Sequence, residues 1–388
     1  MRPNLDMQKV LMVLEATFPV KGGGGAESQV LTLGKCLLAR GIGVQVVVPM
    51  VANGPQIKRE MVETLGVVRI AYPKFRLVGG FVMLVKLAWL LFVERKNYTF
   101  IHAHIASNMA AVCALMGKLL NRPVLVKLTG MKEMVGGILG DAPDATVRLK
   151  KWAIGKADLL QATSARIQQM LVAAGFSADR IRLLPNGVDV TRFAIPKNHA
   201  LRLELCGEAS IVGIFVGRLA PEKGHESLLR AWAAALANHA SARIVLVGDG
   251  SEHKKLSQLA NDLGISRQVV FAGHASDVSK FLAIADFGLL TSLSEGLSNA
   301  LLEYMAAGLP VVGSRVSGTE DFVINGETGW LFEPGDEQGL AACLRKVATQ
   351  DQFEISKMGQ TAQRKIIECA SLAVVTNQLI DLYQTKTV

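Results

Sequence analysis

Hydrophobic and polar positions follow two rhythms along this chain. Short continuous apolar runs occur at "KVLMVLE" (9–15), "GVQVVVP" (43–49), "FIHAH" (100–104), "VLVKLTG" (124–130), "LLQAT" (159–163) and "IRLLPNG" (181–187). Between them apolar positions recur every three or four residues, as in "AESQVLTLGKCLLARG", where Leu31, Gly34, Leu37 and Leu38 fall at helical spacing. After "VDVTRFAIPKNHALRLELCGEAS" the rhythm restarts, with strands at "IVGIFVGRL", "RIVLVGDG", "VVFAG", "FGLLTS" and "LPVVGS". Runs that are continuous instead of alternating indicate strands covered on both faces, hence a parallel α/β architecture. The pattern predicts two Rossmann-like doubly wound parallel-sheet domains facing a deep interdomain cleft and joined near 189–209. The first spans 1–190 and the second 191–370. One long amphipathic helical pattern begins near 353, and its last part, 371–388, is a candidate to pack back on the first domain. In such sheets ligands bind off the carboxyl ends of the strands.

Composition narrows this picture without deciding function. A chain of 388 residues, half of them hydrophobic and 19% charged, has material for two globular cores. Its net charge of +9 points to an anionic partner, which the charge alone leaves open among nucleotide, nucleic acid and acidic membrane surface. Only 6% of residues are aromatic, no RNP-like motif is present and the basic residues form no single stripe, which argues against nucleic acid. Cys36, Cys113, Cys206, Cys343 and Cys369 are scattered, with no C-x-x-C pair, as suits a reducing compartment better than a disulfide or zinc framework. "KVLMVLEATFPV" has the look of a signal peptide, but Glu15 interrupts it and a Gly-rich turn follows, so it reads as a first strand. "FVMLVKLAWLLFV" (81–93) is too short to span a bilayer and contains Lys86. It reads as a core helix or, flanked by Lys74, Arg76, Arg95 and Lys96, as a helix lying on a membrane surface.

Four stretches carry candidate chemistry. "FPVKGGGGAES" (18–28) follows the first strand, and its glycines suit either a flexible turn or close backbone approach to a ligand at a helix start. It lacks the G-x-G-x-x-G spacing, and no acid ends the second strand, so a dinucleotide site is disfavoured. In "FVGRLAPEKGHESLLRAW" (215–232), Arg218 and Lys223 flank a turn at a strand's carboxyl end, where two cations can bracket a diphosphate. In "TSLSEGLSNALLEYMAAGLPVVGS" (291–314), Ser298 or Asn299 caps a helix that Gly308 and Pro310 stop. Its N-terminus attracts phosphate, with Glu303 inside it placed for ribose hydroxyls and Glu295 before it for the sugar end. Finally, His102 and His104 of "FIHAHIASN" end a strand on one face, and suit a sugar hydroxyl better than a metal for which no third ligand is spaced.

These residues also carry a resemblance. "GRLAPEKG" and "SEGLSNALLEYMAAGLPVVGS…GTEDFVINGETGWLFEPGD" resemble the retaining glycosyltransferases of family 4, whose fold is the two-Rossmann GT-B type. "GGAE", "IHAH", "LPNGVDVTRF", "VGDGS" and "FAGHASDVSKFLAIADF" extend the likeness over nearly the whole chain, and Glu295 and Glu303 stand at the family's E-x7-E spacing. The resemblance implies that Arg218 and Lys223 hold the donor diphosphate, Glu303 the ribose and Glu295 the donor sugar. The backbone of Gly296, Leu297, Ser298 and Asn299 would meet the phosphates, and Gly24 and Gly25 would approach donor and acceptor. His104 would lie beside the sugar, with Gly217, Gly248 and His274 completing the donor site.

The resemblance further implies a hexosyltransferase that uses a UDP- or GDP-linked sugar and retains anomeric configuration by a same-face route, without metal or other cofactor. The absence of a D-x-D pattern in any candidate loop agrees. Exopolysaccharide, lipopolysaccharide or glycolipid assembly is the expected setting, with a glycan or polyprenyl-linked glycan acceptor. The expected location is the cytoplasm, including the inner face of the cytoplasmic membrane. Residues 105–108 and 129–144 follow no pattern that names an acceptor. A non-catalytic nucleotide-sugar-binding protein, or an epimerase of the same fold, is the alternative.

Overall fold

The computed structural model describes residues 8–19, 25–52, 54–75, 78–130, 137–139 and 144–387. The chain forms two compact units, Met1–Gly187 together with Val375–Val388, and Val188–Val374.

The first unit holds an eight-stranded sheet of β1 (Lys9–Val13), β2 (Gly43–Pro49), β3 (Arg59–Val62), β4 (Leu65–Ile70), β5 (Phe100–Ala103), β6 (Val124–Leu128), β7 (Leu159–Ala162) and β8 (Ile181–Leu183). Their order is β3-β4-β2-β1-β5-β6-β7-β8. All neighbours are parallel except the β3–β4 pair. The order reverses direction between β1 and β5, which opens a crevice beyond their carboxyl ends.

Alternate residues of β1 supply the two faces. Val10 and Met12 pack with Val30, Leu33 and Leu37 of α1 (Gly25–Leu38), and with Val375, Leu379 and Tyr383 of the C-terminal helix Leu372–Thr387. Leu11 and Val13 pack with α2 (Val78–Val93), α3 (Asn108–Leu120) and α4 (Ala145–Ile154), through Leu87, Cys113 and Ile154 among others. The buried stripe of α1 is Val30, Leu33, Gly34 and Leu37, so it shares only Gly34 and Leu37 with the expected one.

The second unit holds β9 (Ile211–Val216), β10 (Ala242–Val247), β11 (Val269–Gly273), β12 (Phe287–Leu290), β13 (Val311–Ser314) and β14 (Gly329–Phe332). The order is β11-β10-β9-β12-β13-β14, parallel throughout. Here the reversal lies between β9 and β12. Among the described residues no helix is long and apolar enough to cross a membrane.

Three strands escape the hydrophobic pattern. Strand β3 is a short, half-exposed edge, and β4 contains Arg69, whose charge breaks the apolar run. In the fold Arg69 is buried and donates to the carbonyls of Ile57 and Phe18 and to Glu60 at 3.0, 2.7 and 2.5 Å. Strand β14 begins at Gly329, where a Cβ would stand 2.0 Å from the Val311 carbonyl oxygen, so only glycine lets it lie against β13. The single helix expected from 353 is two, Gln352–Cys369 and Leu372–Thr387. Between them Val188 N donates to Ala370 O and Val188 O accepts from Leu372 N, at 2.9 and 2.8 Å, which takes Ser371 out of the helical ladder.

Candidate functional site

The carboxyl ends of β9 and β12 carry most of the candidate residues. Past β9 the chain makes a short turn, Pro221–Lys223, then enters a helix through Gly224 at φ 69°. A Cβ on Gly224 would lie 2.2 Å from the Thr291 carbonyl oxygen, so this loop rests directly on the one after β12. Thr291 Oγ1 donates to Lys223 O at 2.9 Å and Leu293 N to Glu222 O at 2.9 Å. Lys223 Nζ reaches across and pairs with Glu295 Oε1, which also accepts from Ser292 Oγ at 2.8 Å. Arg218 is 70% exposed and pairs with Glu222 at 2.5 Å. Gly217 N donates to Val247 O at 2.9 Å, and a Cβ on Gly248 would stand 1.9 Å from Gly217 O, so the β10 loop is glycine because the β9 loop lies on it. His274 follows edge strand β11 and is exposed.

Three helices of the second unit frame these loops: α5 (Val190–Phe193), α6 (His225–Leu236), which the Gly224 turn feeds, and α7 (Asn299–Ala306). Helix α7 starts at the end of the arrangement. Gly296, Leu297 and Ser298 before it lie beneath the loop that follows β13, where a Cβ on Gly318 would meet Gly296 O at 2.6 Å. Ser298 has the extended backbone of an N-cap, but its hydroxyl makes no capping bond. Tyr304 Oη accepts from Val216 N at 2.6 Å, and its ring occupies the space that a Cβ on Gly288 would fill at 2.4 Å. These contacts fix α7 against β9 and β12.

Glu303 lies on the side of α7 that Leu301, Leu302, Tyr304 and Met305 do not use, and it is partly buried. No described residue hydrogen-bonds its carboxyl group. Burial pushes that carboxyl up to about 7, and Arg192 of α5 opposes the shift. Arg192 is itself held by Asp277 at 3.0 Å. A partly desolvated acid with no protein donor gains when a ligand supplies one.

The first unit places different chemistry at its own strand-order reversal. His104 N donates to Val13 O at 2.9 Å, and its ring stacks on His102 with centroids 4.0 Å apart. Both rings are buried, and His102 Nδ1 lies 2.8 Å from Tyr383 Oη of the C-terminal helix. Burial pushes the His102 imidazole down to about 3, with Lys127 adding to the effect. His104 is held well below the usual range by burial, then by His102 and Lys127. Both are therefore neutral at physiological pH. His102 belongs to the core under the last helix, whereas neither ring nitrogen of His104 has a partner among the described residues. Gly25 opens α1, and Gly24 lies outside the described residues. Among the described residues no three His, Cys, Asp or Glu side chains gather as a metal site.

Within the second unit, Lys223 and Glu295 are thus in contact, whereas Arg218 takes Glu222. Two participants lie outside the residues that spacing singles out: Ser292, which orients Glu295, and Arg192, the cation nearest in effect to Glu303. Each has a signal in the sequence, a serine three residues before the acid in "SLSE" and the arginine of "VDVTRF".

The chain matches two family models, that for Glycosyltransferase Family 4 over residues 23–192 and that for Glycosyl transferases group 1 over 206–365. The lipopolysaccharide core biosynthesis glycosyltransferase LpsE of Rhizobium meliloti (strain 1021) is 30% identical over 185 residues, 48% of this chain and about half (53%) of that protein. The N-acetyl-alpha-D-glucosaminyl L-malate synthase of Bacillus anthracis is 26% identical over 291 residues, 75% of each chain. The chain spans about half the length of most of the curated relatives it matches. In fold it is similar to Anabaena HepE, solved in complex with UDP, with a TM-score of 0.78 at 22% identity, covering 97% of this chain and 100% of that one. Two matched models in tandem, over two parallel sheets of this topology, place the chain in glycosyltransferase family 4, of the GT-B type.

Proposed function

We propose that this protein transfers a sugar from a nucleotide-diphosphate sugar to a glycan or lipid-linked glycan, retaining anomeric configuration and using no metal. The observation that carries this reading is Glu303, a partly buried carboxyl without a donor among the described residues, on the helix whose start adjoins the Lys223–Glu295 pair. Ribose hydroxyls supply the missing donors. Lys223 has three N–H donors and gives one to Glu295, which leaves two for a diphosphate. Arg218, exposed beside it, adds a fork, and the start of α7 adds oriented amides. Cleavage of the bond between the sugar and the diphosphate leaves negative charge on the departing oxygen, and these cations stabilise it. That oxygen then takes the proton of the acceptor hydroxyl, which attacks from the same face, so no separate base is needed.

Glu295, steadied by Ser292 and Lys223, would bind the sugar hydroxyls, and His104 would contribute a neutral imidazole. UDP is the favoured nucleotide, because the similar Anabaena protein is solved with UDP and with UDP-glucose. A lipopolysaccharide core biosynthesis glycosyltransferase and a diphosphoundecaprenol-linked GlcNAc galactosyltransferase among the relatives suit envelope assembly.

Thermal unfolding with UDP, GDP or ADP in the presence of EDTA tests the donor site. A ligand binding only the folded chain at a hundred times its Kd adds roughly 2.7 kcal/mol. One nucleotide should raise the midpoint, and Glu303→Ala and Lys223→Ala should erase the rise. If no nucleotide acts on the folded protein, the donor-site reading fails. Proton NMR of the product from a defined donor then reads the anomer, and inversion would refute retention.

A further inference from the structure

The helix layer α2–α3–α4 in the first unit has an outer face that its packing does not explain. Met83, Leu87 and Leu91 of α2 are buried against the sheet. Yet Phe81 is 69% exposed and Trp89 67%, and Val85 and Phe92 lie exposed on the same stripe. Leu119 of α3 and Trp152 of α4 are 74% and 54% exposed. Because α3 packs against both α2 and α4, these residues belong to one helical layer. A core helix would bury such side chains, and a solvated face would not carry two tryptophans and two phenylalanines. The opposite layer, α1 and the C-terminal helix, has no exposed large hydrophobic residue among its described side chains.

Charge identifies the occupant. Helices α2, α3 and α4 contain Lys86, Lys118, Arg148, Lys150 and Lys151 and no carboxylate. Arg95 stands 4.3 Å over the Phe92 ring, and Lys156 5.1 Å over that of Trp152, so cations rim the aromatic residues. At one edge of α2, a pocket of about 340 Å³ is lined by Lys58, Arg59, Lys86 and Trp89. Its one acid, Glu94, is engaged by Arg59 at 3.1 Å and by Asn97 at 2.5 Å. The Lys58 side chain is exposed and pairs with no acid among the described residues, so the pocket keeps a cation for an anion.

We infer that the α2–α3–α4 face is a docking surface for an anionic phospholipid bilayer. Its aromatic and aliphatic side chains enter the interface, its lysines and arginines meet headgroup phosphates, and the pocket beside Trp89 receives one headgroup. Helix α2 has 16 residues and rises roughly 24 Å, short of a bilayer core, so it lies on the surface and does not cross it. A second copy of this chain is the poorer occupant, since a symmetric contact would oppose cation to cation. The inference goes beyond the proposed transfer and does not depend on it, although a lipid-linked acceptor would be met at such a surface.

The test is flotation of the full chain with vesicles of phosphatidylcholine alone and of phosphatidylcholine with about one-third phosphatidylglycerol. Binding should favour the anionic vesicles at least about tenfold and weaken in high salt. The double variant Phe81→Ser, Trp89→Ser should bind roughly tenfold less, and Lys58→Glu with Lys86→Glu should remove the anionic preference. Trp232 and Trp330 are buried, so quenching by brominated lipid would report Trp89 and Trp152. Both double variants alter only this face, and the nucleotide-induced rise in unfolding temperature should persist in them. Its absence in the wild type would count against the donor site alone. Absence of binding to either vesicle, equal binding by the serine variant, or a dimer in sedimentation that Trp89→Ser dissociates would overturn the inference.

Discussion

At the carboxyl ends of β9 and β12 basic and acidic side chains pair with one another, Lys223 with Glu295 and Arg218 with Glu222. At the carboxyl end of β5 they are two stacked imidazoles that burial keeps neutral. Both places are strand-order reversals of doubly wound sheets, so topology alone assigns them the same role. Their chemistry does not. Cations and an oriented helix start suit a leaving group that gains negative charge, whereas a neutral hydrogen-bonding surface suits hydroxyls. On the proposed reading, a diphosphate would be handled where charge is already balanced by local pairing, and polyols where charge has been removed.

The strongest way to break this contrast is Lys223→Ala. If that ammonium stabilises the departing diphosphate, kcat falls by roughly 10²–10³-fold, measured by nucleotide release with an intact nucleotide sugar. A variant that loses only KM would show that Lys223 binds ground state and transition state alike. The next effect belongs to Glu303→Ala. Charged hydrogen bonds of about 1.5–3 kcal/mol put the rise in nucleotide Kd at roughly tenfold to a hundredfold, which calorimetry reads directly.

Acidity sharpens the comparison further. If Glu303 accepts two ribose hydroxyls as proposed, its carboxyl must ionise, and in the free protein burial pushes that ionisation up to about 7. Affinity for a nucleotide sugar, whose diphosphate does not titrate there, should therefore rise about tenfold from pH 6 to pH 8. Glu303→Gln should flatten the profile. The same shift has a sign for stability. The folded chain binds the proton more tightly than the unfolded one, so stability falls as pH rises from the ordinary carboxyl value of 4.5 through 7. Glu303→Gln should accordingly melt higher than wild type above pH 7, with the advantage gone below pH 4.5. Melting curves across that range would show the opposite ordering if the carboxyl were stabilised as an anion.

Much of the fold is legible in the sequence. The continuous apolar runs locate eleven strands of the parallel sheets, because a strand covered on both faces has little choice of residue. Arg69 hides β4, since a buried guanidinium with three oxygen partners breaks an apolar run as a loop residue would. The stretch 352–387 reads as one helix because its interruption is made by Val188, far away in sequence. At the site, residue types and spacing mark Lys223, Glu295 and Glu303. That Lys223 and Glu295 touch, and that Glu303 has no donor, depends on where two loops are brought together. Periodicity carries no information on that. The apolar stretch 81–93 is ambiguous for a related reason: hydrophobic on every side, it has no stripe from which to tell the sheet-facing half from the exposed one.

The smallest expected effect tests the neutral side of the comparison. Tyr383→Phe removes the hydroxyl 2.8 Å from His102 Nδ1, deep in the first unit and one ring removed from His104, which is proposed to meet the donor sugar and not the nucleotide. Loss of one buried hydrogen bond costs about 1 kcal/mol, seen as a lower unfolding midpoint, while the rise produced by nucleotide should keep its full size. His102 also limits acid stability. Its folded value of about 3 lies below the ordinary 6.5, so the unfolded chain takes up the proton first and stability is lost as pH falls through that interval. Tyr383→Phe should leave this acid loss in place, because burial is its main cause. A variant that melts like wild type but binds nucleotide less well would instead tie the histidine pair to the nucleotide, and the division of labour between the two strand-order reversals would have to be redrawn.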